Sequence, residues 1–451
     1  MRRRWLQSTC GLAFAAVGAC QADHGSSAID DTDHVQDLEE PICADPRVIY
    51  AGTVRRHGAG LLIADPMGDV QRLEDGSPDD AFGDDSLFVH DFDPSDHHEY
   101  GYSDVTVDPD DRVVVALGVT PAGSPPETPL HWEIMRADAN GQFDPAFGDG
   151  GRTLLPWPAI AAFRARSSGP QRVLTHDGKI YVLGEGYVEG GSGIAIVRLD
   201  DDGQVDPTFA RGEAFSGVLL RGLNSHFPVR FAVATDQGLL VGSGDWQVEQ
   251  LGWDGVLEHT WKEPVVIQEG SAAFALATTA TQAYVVGLVK LTTHADVYGL
   301  QIERRALDDG APDQTYGKGG QHLVDLRKYR FPFGDLTFSG QPTDVLGVAV
   351  ADDDGLFVNV VLLDGDFSRR AVIKFDAEGH VDTSWLDAGG VVLTGIAYER
   401  APTGLTGILS SRDSTSDSLA LVDGKLVLAS TYFAEGTFSS ELCGAVQLFD
   451  P

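Results

Sequence analysis

Basic residues and long apolar runs are both scarce in this chain of 451 residues. It has 32 Lys and Arg against 68 Asp and Glu, which gives a formal net charge of −36. Each phosphate contact of a nucleic-acid binder needs a Lys or Arg, so this balance excludes nucleic acid as a partner. Beyond the first twenty residues no stretch approaches 18 uninterrupted apolar residues, which excludes a permanent transmembrane helix.

The linear signatures of common enzyme classes are also missing. The sequence contains no GxSxG, HExxH or CxxC motif, no phosphate-binding GxxxxGK[ST] loop and no Rossmann fingerprint. Carboxylates and histidines brought together from distant segments would leave no linear motif. Catalysis therefore stays open, and a protein without enzymatic activity is the preferred interpretation.

Glycine and apolar residues, in contrast, are plentiful. A hydrophobic content of 42% is enough to bury a core, which excludes a disordered chain. The 53 glycines favour many short strands joined by tight turns.

The first residues have the features of a bacterial export signal. Arg2, Arg3 and Arg4 precede a short apolar run over residues 11–19, which ends in Val-Gly-Ala-Cys. This ending resembles a lipoprotein lipobox, which predicts a signal peptide over residues 1–19 and a lipid on Cys20. Gln21 is compatible with sorting to the outer membrane or cell surface. The alternative is an ordinary secretory signal with an incidental Cys.

Residues 20–40 are expected to form a flexible acidic tether. After Cys20 this segment contains seven acidic residues and little that could be buried. Asp30, Asp31 and Asp33 could hold Ca²⁺ weakly, but a solvated linker is the simpler interpretation.

Two cysteines remain once the signal peptide and the lipidated residue are set aside. Cys43 lies near the start of the folded part and Cys443 near its end. Export places both in an oxidising compartment, where two remaining thiols tend to pair. We therefore expect a Cys43–Cys443 disulfide, with two unrelated buried thiols as the alternative.

One short pattern recurs six times along the chain. A glycine is followed three residues later by an acid and six residues later by an aromatic residue. The glycines are Gly76, Gly141, Gly203, Gly255, Gly310 and Gly379; the acids are Asp79, Asp144, Asp206, Glu258, Asp313 and Asp382; the aromatics are Phe82, Phe147, Phe209, Trp261, Tyr316 and Trp385. A fixed offset kept six times indicates an internal repeat.

A short apolar run precedes each turn and occurs once more near the end. The runs cover residues 48–54, 113–119, 180–186, 239–245, 283–289, 356–362 and 426–432. Such runs are typical of strands buried on both faces. The spacing gives about four strands per unit, and predicts an all-β β-propeller over residues 41–451. We expect about seven four-stranded blades, with the ring closed by the N- and C-terminal segments.

The segments at residues 136–151, 198–209 and 309–320 resemble the delta-60 repeat of bacterial extracellular proteins. The resemblance covers most of residues 45–451 and weakens at residues 253–261 and in the last unit. It implies a surface-located propeller and carries no catalytic motif. It leaves the function open.

The repeated residues are interpreted as structural. The acid should accept hydrogen bonds from N–H groups of its turn, the glycine should supply a positive φ, and the aromatic should fill space between neighbouring blades. A Ca²⁺ ion at the Asp-rich turns of residues 200–203 or 352–355 is the minor alternative, and neither turn has EF-hand spacing.

Function is expected in the loops that do not repeat. A histidine-rich insertion is one candidate for a transition-metal site, since imidazole and carboxylate together bind such ions. Its candidate ligands are His90, Asp93, Asp96, His97 and His98. An exposed polar loop is the alternative.

The second candidate is a basic, aromatic segment on an otherwise acidic chain. It contains Arg327, Lys328, Tyr329, Arg330, Phe331 and Phe333. Charge and stacking could hold an anionic glycan or a lipid headgroup there. Alternatively, the aromatics pack between blades while the cations pair with nearby acids.

These observations favour a lipid-anchored extracytoplasmic propeller that binds a protein or glycan without catalysis. A polysaccharide-active enzyme with carboxylates in the channel is the alternative, and a Ca²⁺-stabilised structural envelope protein is a third. The sequence identifies no cofactor, with Ca²⁺ as the one candidate, and a monomer is expected.

Overall fold

The computed structural model of the protein describes most of the chain from residue 53 onward. The described ranges are 53–58, 60–64, 69–74, 77–84, 87–88, 97–121, 131–155, 169–188, 191–211, 216–222, 229–244, 246–261, 271–292, 297–329, 331–333, 336–338, 341–364, 367–385, 391–398, 419–422, 425–433 and 442–449. The expected signal peptide, the expected lipidation site Cys20, the expected acidic tether and Cys43 lie outside these residues.

The first three blades are antiparallel sheets whose strands follow one another in chain order. Blade 1 has β1 (Thr53–His57), β2 (Gly60–Ala64), β3 (Val70–Glu74) and two short strands that pair with β3, β4 (Ser77–Pro78) and β5 (Leu87–Phe88). Blade 2 has β6 (His97–Val107), β7 (Val113–Pro121), β8 (His131–Ala137) and β9 (Arg152–Leu155). Blade 3 has β10 (Pro170–His176), β11 (Lys179–Val188), β12 (Gly191–Leu199) and β13 (Val218–Gly222).

The next three blades repeat this arrangement. Blade 4 has β14 (Val229–Thr235), β15 (Gly238–Ser243), β16 (Val248–Leu251) and β17 (Leu257–Thr260). Blade 5 has β18 (Ala272–Thr278), β19 (Gln282–Lys290), β20 (Tyr298–Ala306) and β21 (Gln321–Val324). A 3₁₀ helix (Leu326–Lys328) and a hairpin of β22 (Phe331–Phe333) and β23 (Leu336–Phe338) come before blade 6. Blade 6 has β24 (Gln341–Val350), β25 (Leu356–Asp364), β26 (Phe367–Phe375) and β27 (Val391–Tyr398).

The expectation of about seven four-stranded blades is wrong, because the described residues form six blades of this kind. A C-terminal sheet of three strands, β28 (Leu419–Val422), β29 (Lys425–Phe433) and β30 (Leu442–Phe449), accompanies them in the described residues. The blade number was counted from seven apolar runs. The repeated turn, which leads from the third strand of a blade to the fourth, occurs only six times.

The first apolar run was also misplaced. Residues 48–54 overlap β1 at Thr53 and Val54, and the second strand of blade 1 is Gly60–Ala64 instead. The other six runs coincide with second strands, namely β7, β11, β15, β19, β25 and β29.

The first strands of successive sheets contact one another in a ring. The contacts run from β1 to β6, β10, β14, β18, β24 and β28, and β28 returns to β1. The first strand of each sheet is therefore the innermost, and the fourth strands of the blades lie outermost.

Apolar side chains fill the space between neighbouring sheets. Val114 and Ile134 of blade 2 pack with Val182 and Val197 of blade 3, and the same kind of cluster recurs at other blade boundaries. Burying each such side chain contributes about 1.5–3 kcal/mol. Because both faces of a second strand are covered, its sequence is continuously apolar and does not alternate.

The antiparallel order gives the ring two different edges. The connections from first to second strands and from third to fourth strands lie on one edge, which we call the turn edge. The connections from second to third strands and from one sheet to the next lie on the opposite edge, called the loop edge. The repeated turns thus share one edge, and the basic aromatic segment lies on the other.

Candidate functional site

Three of the six repeated turns on the turn edge, those of blades 2, 3 and 6, are built around an aspartate that precedes the glycine. In blade 2, Asp138 Oδ1 accepts hydrogen bonds from two backbone N–H groups of the turn, at 2.9 and 3.0 Å. Gly141 follows with a φ of +76°, which favours glycine. Asp200 and Asp376 hold the turns of blades 3 and 6 in the same way. Sequence analysis missed this aspartate, although it stands three residues before the glycine in each case.

The acid that follows the glycine makes two kinds of contact. Asp144 Oδ1 accepts a hydrogen bond from the backbone N–H of Ala146 at 2.9 Å, and Oδ2 accepts one from Arg136 Nε at 2.9 Å. The corresponding ion pairs of other blades are Arg72–Asp79, Arg198–Asp206, Arg304–Asp313 and Lys374–Asp382. Sequence analysis also missed these cations, although an Arg or Lys stands four to six residues before the glycine in five of the six repeats.

These contacts lower the pKa of three of the repeated acids, Asp206, Asp313 and Asp382. Burial alone would raise the pKa of Asp206, but hydrogen bonds from Thr208 and Lys179 and the charge of Arg198 lower it well below the usual range. The hydroxyl of Thr315 has the largest effect on Asp313 and lowers the pKa of that carboxyl. Carboxylates held in this state are structural acceptors, and they cannot donate a proton at neutral pH.

The repeated aromatic of one blade lies against the repeated glycine of the next. A Cβ added to Gly203 would lie 2.9 Å from the Phe147 ring. The other such pairs are Phe82 with Gly141, Phe209 with Gly255, Trp261 with Gly310 and Tyr316 with Gly379. The guanidinium of Arg136 also lies 4.7 Å from the centre of the Phe147 ring, a favourable cation–π distance. The repeated residues therefore couple each blade to its neighbour.

Backbone and side-chain hydrogen bonds strengthen this coupling. The N–H of Gly148 donates to the carbonyl of Asp202 in the next blade at 2.8 Å. Arg304 Nη1 likewise donates to the carbonyl of Ala377 in blade 6 at 2.7 Å. Because its groups are engaged in holding blades together, the turn edge is a scaffold.

Blade 4 departs from this pattern. Gln250 occupies the position of the cation, and the exposed Glu258 replaces the aspartate. Gln250 Oε1 and Trp261 Nε1 are buried and find no hydrogen-bond partner in the described part of the chain. This is the region where the resemblance to the repeat family weakens.

Charged residues on the innermost strands are the second place where function could lie. Asp104 of β6 is fully buried and bridges two neighbours. Its Oδ1 accepts a hydrogen bond from Arg55 Nη2 of β1 at 3.1 Å, and its Oδ2 accepts one from the backbone N–H of Val173 in β10 at 2.9 Å. Among the described strands, β10 pairs only with β11, so Asp104 satisfies an N–H group on the free edge of β10.

Two further charges lie on the inner strands. Arg172 of β10 is buried beside the Asp104 contact, and Asp344 of β24 lies across the ring. Asp344 Oδ1 accepts a hydrogen bond from the backbone N–H of Val345 at 2.9 Å. The inner strands thus contain two buried carboxylates, of which Asp104 has both oxygens engaged.

The basic aromatic segment connects blade 5 to blade 6 on the loop edge. Arg327 makes a paired contact with Asp325, with Nε 2.8 Å from Oδ1 and Nη2 2.9 Å from Oδ2. Lys328 is 79% exposed and lies 3.9 Å from the same carboxylate. Tyr329 packs against the core between blades 5 and 6. Arg330 lies outside the described residues, and for Phe331 and Phe333 only the backbone of β22 is described.

The expected metal ligands of the histidine-rich insertion cannot be placed together. His90, Asp93 and Asp96 lie outside the described residues, and His97 and His98 are described only as backbone of β6. In the described ranges, no three His, Cys, Asp or Glu side chains are close enough to hold a metal ion.

In the two Asp-rich turns, carboxylates bind cationic side chains and backbone N–H groups of the protein itself. Asp201 Oδ1 accepts hydrogen bonds from Arg112 at 2.8 Å and from Arg136 at 2.7 Å. Asp353 lies 3.1 Å from Lys374 Nζ and accepts a hydrogen bond from the N–H of Gly355. Each of these carboxylates already has cationic or N–H partners.

The expected disulfide is only half described. Cys443 lies in β30 opposite Tyr432, and its side chain, like all of Cys43, lies outside the described part of the structure.

In the part of the chain that is described, no helix is long and apolar enough to cross a membrane.

A sequence-family model and three solved structures are similar to this chain. The model is described as "Domain of unknown function (DUF5122) beta-propeller" and matches residues 176–209, while no curated protein matches in sequence. The computationally designed Ika8 protein is 10% identical, with a TM-score of 0.39, and the match covers 90% of this chain and 98% of that one. BamB from Moraxella catarrhalis is 12% identical, with a TM-score of 0.36, and the match covers 88% of this chain and 93% of that one. The Cellvibrio cellulosa alpha-L-arabinanase is 16% identical, with a TM-score of 0.31, and the match covers 64% of this chain and 96% of that one. These structures show no more than a general likeness of fold. The family model matches residues within blade 3, and the sheets form a ring. The protein is therefore a β-propeller.

Proposed function

We propose that this β-propeller is a non-catalytic binding module that acts outside the cytoplasm, anchored to a membrane by a lipid on Cys20. We further propose that the protein is of the delta-60 repeat type and is located at the outer membrane or cell surface. Its partner is a protein or a glycan.

The proposal is supported by the different composition of the two edges of the ring. On the turn edge, repeated Arg, Asp and aromatic side chains hold the blades together. The loop edge contains the segments that do not repeat, and loops on a rigid scaffold are where binding residues are usually found.

Within the loop edge, the segment of residues 327–333 is the best candidate contact. Asp325 caps the 3₁₀ helix and accepts a hydrogen bond from the N–H of Arg327, while Tyr329 anchors the segment in the core. Lys328 is held outward between these two points. A fixed, exposed cation on a protein of formal charge −36 favours an anionic group on the partner.

The experiment compares two double variants in binding to dextran sulfate, with uncharged dextran as the reference ligand. We expect R327A/K328A to lower the affinity for dextran sulfate by about tenfold, and added salt to weaken the wild-type interaction. The matched control is R211A/K318A, since Arg211 and Lys318 are exposed cations of the turn edge. Equal losses in both double variants would indicate unspecific charge attraction and would contradict the assignment to the loop edge.

Asp104 and Asp344 on the inner strands keep a polysaccharide-active enzyme as the second candidate. Hydrolysis of a polysaccharide by the wild type, lost in Asp344→Asn and retained in R327A/K328A, would replace the binding module with this function. A third candidate, a Ca²⁺-stabilised envelope protein, predicts that EGTA lowers the melting temperature and that CaCl₂ restores it.

A further inference from the structure

Two histidines from neighbouring blades meet on the turn edge. His322 belongs to β21 of blade 5, and His380 ends the repeated turn of blade 6. Their ring centres are 5.1 Å apart and their planes cross at 79°. No linear motif marks this pair, because the two residues are far apart in the sequence.

Both rings are carried by rigid backbone. His322 is paired with Ile302 across the sheet. Asp376 Oδ1 accepts hydrogen bonds from the N–H groups of Glu378 at 3.0 Å and His380 at 2.8 Å, which fixes the turn. A Cβ added to Gly379 would lie 3.1 Å from the Cβ of His322, so the turn and β21 are in close contact.

We propose that His322 and His380 together bind a late first-row transition-metal ion, such as Zn²⁺, Ni²⁺ or Cu²⁺, across the boundary between blades 5 and 6. A Zn–N bond is about 2.0–2.1 Å, so two rings on one tetrahedral ion have centres about 5 Å apart. The observed separation of 5.1 Å between the ring centres matches this spacing. Imidazole ligands select this group of ions, and water completes the coordination.

The surroundings suit this role. Asp376 Oδ2 lies 3.6 Å from His380 Nδ1, where a carboxylate can orient a ligating ring. His380 is 66% exposed, so an ion can enter from solvent.

The experiment measures metal binding by the full chain after EDTA treatment and dialysis. Titration calorimetry with ZnCl₂ and NiCl₂ should detect a site whose affinity falls at least about tenfold in His322→Gln and in His380→Gln. The melting temperature of the wild type should rise with metal, because an ion bound only by the folded state stabilises it. The matched control is His259→Gln, an exposed histidine of β17, which should bind as the wild type does.

A Cu²⁺ spectrum supplies a second readout. Electron paramagnetic resonance of the Cu²⁺ complex should show coupling to two nitrogen nuclei in the wild type and to fewer in either variant. The melting temperature of each variant in EDTA should match that of the wild type, which separates lost binding from lost folding. Unchanged calorimetry and unchanged nitrogen coupling in both variants would overturn the proposal.

Discussion

At the scale of single residues, the repeated glycines have two separate constraints. Gly310 has a φ of +68°, and a Cβ there would lie 2.2 Å from the Trp261 ring. Gly178 has a nearly identical φ of +67°, but no atom lies within 4 Å of an added Cβ. The two positions therefore separate the cost of backbone conformation from the cost of crowding.

We predict that Gly178→Ala lowers the free energy of unfolding by about 1 kcal/mol, the cost of a left-handed conformation. Gly310→Ala should lower it by about 3 kcal/mol or more, because overpacking adds to the same backbone cost. Urea unfolding of both variants measures the difference. Equal values would show that the neighbouring blade does not press on the glycine.

Asp206 provides a prediction on pH. Its folded-state pKa is lowered, so its contribution to stability is fully present above its unfolded value, about 4, and is lost as the pH falls through the folded value. We expect Asp206→Asn to cost about 3 kcal/mol at pH 7, since it leaves Arg198 and Lys179 without their carboxylate. The difference from wild type should shrink as the pH falls below 4.

Urea melts from pH 7 down to pH 3 test this expectation. Asp202→Asn is the matched control, since Asp202 is exposed in the same turn. A difference between Asp206→Asn and wild type that stays constant over this range would contradict the assigned cause.

At the scale of strands, position within a blade decides local stability. In blades 4 and 5, β19 is buried between two neighbouring strands, whereas β17 is outermost and three of its four residues are exposed. We predict that amides of β17 exchange with solvent at least about a hundredfold faster than those of β19. Hydrogen exchange followed by mass spectrometry measures both segments, and similar rates would contradict the prediction.

The second strands were readily found from sequence, and the first strands were not. A run such as residues 113–119 is continuously apolar because both of its faces are covered. The first strands contain irregularities, as between Pro170 and Arg172, where β10 bulges opposite Gly184 of β11. A Cβ at Gly184 would lie 2.3 Å from the Trp132 ring of blade 2, and no local pattern reveals that contact.

At the scale of the whole molecule, the disulfide remains a prediction that a mass measurement can settle. We expect the unreduced protein from its own membrane to carry a lipid and to weigh two hydrogens less than its sequence requires. Closing a loop of nearly the whole folded chain contributes about 4–5 kcal/mol at most in the chain-entropy model. Reduction should therefore lower the melting temperature, whereas Cys443→Ser should be insensitive to the reductant. Two free thiols in the native protein would contradict the pairing.

The blade count shows where sequence reasoning stopped at this scale. Seven apolar runs suggested seven equal units. The repeated turn, found six times, was the better guide, because it leads into the fourth strand. The runs alone do not say how many strands each sheet holds.

The amino-acid sequence by itself determined the all-β propeller class, the turn positions and the repeated acid, glycine and aromatic of each turn. These features follow from local chemistry and periodicity, which one blade expresses without reference to the others. Only the tertiary structure decided the number of four-stranded blades and the meeting of His322 with His380. Those features depend on which blade lies beside which, and distance along the chain does not encode that.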